Sequence, residues 1–184
     1  MTAQRPSRAI TVARLATVDI ALAWRWAPII VLGTVLLGYS ILPLKFPNWE
    51  PSDRWLVSAL AVLACEAGLL LHELSHALAA RRTGQHVERI VFHGFMAETV
   101  LSAEPAHDII AALIGPVMNL ALAGFFEAVR LAFDSQGPLD VLLLLLVFGN
   151  LAMAAASLQP FGESDGARAL RAFSHARARA RINP

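Results

Sequence analysis

One cysteine, one lysine and one tyrosine occur in the whole chain, and charged residues make up only 16% of it. A lone Cys65 excludes a disulfide framework and any zinc site built from several thiolates. Lying in an apolar run, it reads as a small buried thiol. The scarcity of charge argues against a soluble globular domain, in which about a quarter of residues are charged. A formal net charge of +1 offers nucleic acid no broad basic surface, so no nucleic-acid partner is expected. A secretory signal peptide is not expected either, because the first apolar run starts only after Trp26, is long, and lacks a small-x-small cleavage site.

What fills the chain instead is oil. Hydrophobic residues account for 57% of it, and the mean hydropathy is +0.56. Four apolar stretches can each cross a hydrocarbon core of about 30 Å, which takes roughly 20 helical residues: 27–44, 55–80, 109–133 and 139–158. Every basic residue except Lys45, Arg54 and Arg130 then falls on one side of the membrane. The positive-inside rule puts that side, with both termini and segment 81–108, in the cytosol. Residues 1–26 form a cytosolic N-terminal segment, 27–166 the intramembrane core, and 167–184 a basic tail suited to a helix lying on acidic lipid.

Some segments do not span. The even positions from Ala16 to Trp24 are apolar, a period of two that predicts a surface strand, with an amphipathic helix as competitor. Residues 87–101 carry β-branched and aromatic residues on both sides of His93-Gly94, which predicts two short strands and a bend. The expected fold is thus an all-α multi-pass membrane protein of about four transmembrane helices, with a small membrane-associated hairpin or sheet between helices two and three. Residues 43–54, with three prolines and Trp49, read as an external loop.

Inside the second span stands His72-Glu73-Leu74-Ser75-His76. On a helix, positions i and i+4 share a face, so both imidazoles can reach one metal ion while Glu73 stands beside it as general base. Zinc held by three protein ligands keeps a fourth position for water. His72 lies about 14 Å short of Arg81 along the helix, below the cytosolic surface. Ionisable residues at that depth are costly unless they have work to do. The third ligand is sought after span four, where Glu163 and Asp165 follow the break at Pro160 and Gly162. Seven extended residues reach about 23 Å, enough to return Asp165 to the depth of His72. In span three, Ala111, Gly115, Asn119 and Ala123 form a narrow face with one amide, usable for substrate contact or for an interhelical hydrogen bond. Glu66, on the same helix face as Glu73, can hydrate a water path or pack neutral between helices; His93 reads as a turn residue.

Taken together, His72–His76, Gly115-Pro116-Val117-Met118-Asn119 and Pro160-Phe161-Gly162-Glu163-Ser164-Asp165-Gly166 resemble the site-2 protease family of intramembrane zinc metalloproteases. The three motifs stand in the family's order, and the resemblance covers roughly residues 10–175. It implies Zn2+ held by His72, His76 and Asp165, with Glu73 as catalytic base and the 87–101 hairpin receiving substrate. The substrate would be a transmembrane protein, such as an anti-sigma factor or similar regulator, cut in or near its membrane segment in a bacterial plasma membrane. With no PDZ or CBS segment recognised, the resemblance is to a minimal core form. Where the family usually reads Asn-Leu-x-Pro, this chain has Ser157-Leu158-Gln159-Pro160, and Ser164 replaces an apolar residue before Asp165. Asn119 and Ser157 are therefore both candidates to contact the substrate oxyanion. The competing readings are a catalytically silent relative that holds transmembrane helices and, ranked last, a metal carrier.

Overall fold

The computed structural model describes residues 9–15, 18–101, 108–134 and 136–182, the side chains of 101 and 178–182 excepted. Strands β1 (Ala9–Leu15) and β2 (Val18–Ala23) precede α1 (Trp26–Val35), which runs through a π-helical stretch, Leu36–Ile41, into α2 (Leu42–Lys45). Then come α3 (Pro51–Arg82), β3 (Val87–Phe92), β4 (Ala97–Leu101), α4 (Ile109–Ala132), α5 (Pro138–Ser157) and α6 (Asp165–Ile182).

Four helical segments are long and apolar enough to cross a membrane: Trp26–Lys45, Pro51–Arg82, Ile109–Ala132 and Pro138–Ser157. Their ends differ from the expected ones chiefly around the first link. Pro43 lies inside α2, where the first turn tolerates a residue without an N–H, and Pro51 opens α3 in the same way. The link therefore shrinks to 46–50. There the rings of Phe46 and Trp49 stack at 4.4 Å, and Arg54 donates to the carbonyls of Pro47 and Trp49.

Helix α3 is the axis of the molecule. It is the most enclosed of the four spans and α1 the least. Small residues let its neighbours approach: a Cβ on Gly149 of α5 would lie 2.7 Å from the Cys65 sulfur, the close packing that helices in lipid depend on. Cys65 is accordingly a partly buried packing thiol with no disulfide. On α4 three of the four expected face residues, Gly115, Asn119 and Ala123, are buried, whereas Ala111 is half-buried and Ala112 takes the buried place beside it; the helix is continuous through Pro116. At the far end Arg130 pairs with Glu127 at 2.8 Å and with Asp140 at 3.1 Å, tying α4 to α5.

The sheet is larger than a hairpin. Its order is β1-β2-β3-β4, with β2 parallel to β3 and the other pairs antiparallel. Val18, Ile20, Val87, Ile90 and Phe92 form one buried cluster with Leu69, Ala77 and Ala80 of α3. The period-two reading of 16–24 thus corresponds to β2, although Ala16 and Thr17 lie outside the described residues. Gly94 has φ of 110° at the predicted bend, a conformation that side chains other than glycine resist. A Cβ there would collide with Ile29 of α1, so the hairpin tip rests on the first span.

Candidate metal centre

About three turns before the C-terminal end of α3, His72 and His76 turn their rings toward α4, and their Nε2 atoms lie 3.2 Å apart. Asp165, the first residue of α6, brings its Oδ2 to 3.2 Å from each. All three residues are buried. A tetrahedron with bonds of roughly 2.0 Å has edges of about 3.3 Å, so these separations fit three ligands of one zinc ion. The donor chemistry fits as well. The Nδ1 of His76 lies 2.8 Å from the Ala111 carbonyl. A carbonyl can only accept, so Nδ1 carries the hydrogen and Nε2 is left with its lone pair for a metal, the usual arrangement behind a metal-bound histidine.

The surroundings explain why α4 can lie so close. A Cβ built on Gly115 would collide with His76 Nε2 and come within 2.6 Å of His72 Nε2. Glycine at this point is what lets the helix backbone lean on both imidazoles. The chain break after α5 is equally specific. Ser164 caps α6, its hydroxyl oxygen accepting from the N–H of Ala167 at 3.3 Å while lying 2.5 Å from the Gln159 carbonyl and 2.9 Å from that of Phe161. Gly166 sits against the Leu158 carbonyl, with no room for a side chain. Asp165 thus reaches the histidines from the rigid start of a helix rather than from an extended loop. Its other oxygen, Oδ1, lies 3.5 Å from Arg168.

Glu73 is buried beside the triad, and its Oε2 accepts a hydrogen bond of 2.7 Å from Thr99 Oγ1 of β4. Asn119 is fully buried one turn along α4 from Gly115, and neither atom of its amide has a partner among the described residues. Ser157 donates to the Ala154 carbonyl of its own helix at 3.1 Å. Glu163 does not join the cluster: its side chain is 95% exposed and lies near Arg171. Glu66 accepts from the Trp26 indole at 2.9 Å, joining α1 to α3 beside a mostly apolar cavity of about 190 Å³. His93 faces Glu98 across the hairpin turn at 3.2 Å. Thr99 escaped the sequence reading. The one signal for it was its place in the strand-forming run 87–101, which does not say what the strand faces.

No protein-family model matches the chain. It is 31% identical over 171 residues to the Mycobacterium tuberculosis protein named "Putative zinc metalloprotease Rip3", covering 90% of this chain and 43% of that one. A Methanocaldococcus jannaschii protein named "Putative zinc metalloprotease MJ0611" is 28% identical over 158 residues, covering 73% of this chain and 81% of that one. Among solved structures, the site-2 protease from Methanocaldococcus jannaschii superposes with a TM-score of 0.58 over 90% of this chain and 71% of its own, at 20% identity. The chain thus has the fold of a site-2 protease and is similar in sequence to proteins named as putative zinc metalloproteases. It spans less than half the length of Rip3 and of the Synechocystis relative named "Putative zinc metalloprotease sll0528", to which it is 28% identical over 147 residues. Within that fold, the chain carries four apolar helices and a buried group of two histidines and an aspartate able to hold a metal ion.

Proposed function

We propose that the chain is a zinc-dependent endopeptidase that hydrolyses a peptide bond in or near a transmembrane segment of a membrane-protein substrate. The observation that carries this reading is the buried convergence of His72, His76 and Asp165 with Glu73 alongside, within apolar helices. His72, His76 and Asp165 would hold Zn2+, which when bound would supply a water of pKa near 7 and polarise the scissile carbonyl. Glu73 takes the water's proton and passes it to the leaving amine. Asn119 supplies an amide donor toward the developing oxyanion, a role favoured by its unpartnered, fully buried side chain. Ser157, engaged with Ala154, is the weaker candidate.

A helical substrate hides its carbonyls in its own hydrogen bonds and must unwind locally. Strand β4 lies at the edge of the sheet, and pairing along it replaces the backbone bonds lost on unwinding. The arginine distribution favours a multi-pass protein with both termini cytosolic; a membrane regulator such as an anti-sigma factor is the substrate that the family resemblance implies. The test is Glu73→Gln in purified protein given a transmembrane peptide. Zinc content is expected to stay and cleavage to vanish; an equally active variant would overturn the assignment of Glu73. A wild-type protein that binds the peptide and never cuts it would favour the helix-holding relative.

A further inference from the structure

Position 99 lies on β4 opposite Ile90, which is fully buried in the cluster against α3. Ala97, two residues earlier, packs on the same cluster. The strand's alternation therefore turns Thr99 toward α3 as well. There its Oγ1 lies 2.7 Å from Glu73 Oε2 and 3.3 Å from the Glu73 carbonyl oxygen. A hydroxyl has one hydrogen to give, and the shorter contact, to a carboxylate oxygen, takes it.

We propose that Thr99 is a positioning residue for the base, resting on the peptidase reading above. Its hydroxyl pins Oε2 and fixes the plane of the carboxyl group, so that Oε1 is the oxygen presented to the water. The same strand offers its outer edge to substrate. A substrate backbone paired along β4 and the carboxylate that serves its cleavage are thus held by one rigid element. Proton transfer demands the base within hydrogen-bond reach of the proton it takes, and displacements near 1 Å at such sites cost about 100-fold in rate.

The experiment compares Thr99→Val, which keeps the β-branched shape and loses the hydroxyl, with Thr99→Ser, which keeps the hydroxyl, alongside wild type and Glu73→Gln. Cleavage of a transmembrane peptide and bound zinc are both measured. Thr99→Val is expected to lower kcat by about 10- to 100-fold, with KM and zinc content near wild type, and Thr99→Ser to recover most of the loss. Unchanged kcat in Thr99→Val, a change confined to KM, or equal losses in Val and Ser variants would each overturn the positioning role while leaving the peptidase reading intact. Loss of zinc in Thr99→Val would overturn it too, by marking a structural role. Absence of wild-type cleavage, or full activity in Glu73→Gln, would overturn both together. Should Thr99→Val fail to accumulate, Thr99→Ser against Thr99→Ala makes the same hydroxyl comparison without the methyl.

Discussion

Adding one methyl group at Gly115 is the sharpest perturbation of the metal centre available outside its ligands. A Cβ at this position meets His76 Nε2 in hard overlap, His72 Nε2 at 2.6 Å and His72 Cδ2 at 2.8 Å, where ordinary contact begins near 3.4 Å. Relief requires movement of roughly 0.6–1 Å, shared between α4 and the two rings. If the rings move, His76 gives up its bond to Ala111 and the three lone pairs no longer meet. If α4 moves, the packing around Asn119 opens. Overpacking of this kind costs about 1–3 kcal/mol in stability, and loss of the outer bond on a ligating histidine weakens metal binding by about 10–100-fold. Gly115→Ala should therefore bind zinc at least about 10-fold more weakly than wild type in chelator competition on the detergent-purified protein. Helical circular dichroism should stay within a few per cent. Gly124 on the same helix is the control, since a Cβ there meets nothing within 4 Å; Gly124→Ala should leave zinc affinity unchanged. A Gly115→Ala protein with wild-type affinity and activity would refute the geometry from which the metal centre is argued.

Other substitutions separate the parts of the centre. Asp165→Ala should lose most bound zinc by metal analysis, because two histidines alone make a poor site; full occupancy would move the third ligand elsewhere. Ser164→Ala removes the cap that starts α6, costing about 1 kcal/mol, and should loosen zinc by freeing Asp165. Glu163→Gln, at an exposed side chain one position earlier, should leave zinc binding alone.

Much of this molecule could be read from its residues because the relevant physics is local. Hydropathy over about 20 residues marks four spans, a spacing of four puts His72 and His76 on one helix face, and β-branched runs around Gly94 mark a hairpin. What stayed hidden depends on partners distant in sequence. Strand β1 was not anticipated, since its residues from Ile10 to Leu15 are exposed and are specified mainly by pairing with β2, including the Arg14–Asp19 ion pair at 2.5 Å. The parallel pairing of β2 with β3 joins segments separated by the first two spans. The hydroxyl at Ser164 looked like a substitution within a family motif, and its capping role became visible only with the turn that follows α5. The contact of Thr99 with Glu73 likewise needs the sheet to be docked on α3.

The docked sheet bears on how water reaches the centre. Helix α3, with 32 residues, is about 48 Å long, well beyond a hydrocarbon core of roughly 30 Å. It must therefore tilt or project from the membrane. The sheet packs on it from Leu69 to Ala80, which brackets His72 and His76, so sheet and metal ligands share one depth. An open strand edge facing lipid leaves backbone N–H and C=O groups without partners, at several kcal/mol each. Strand β4 has such an edge, with no further strand beyond it among the described residues. Its backbone is best satisfied by water before substrate arrives and by substrate afterwards. Thr99 on that strand touches Glu73, so the edge and the buried carboxylate belong to one packed unit. On the peptidase reading proposed above, one hydrated cleft along β4 would serve both substrate entry and the hydrolytic water. A charged or bulky residue placed on the outer face of this strand should consequently impair both.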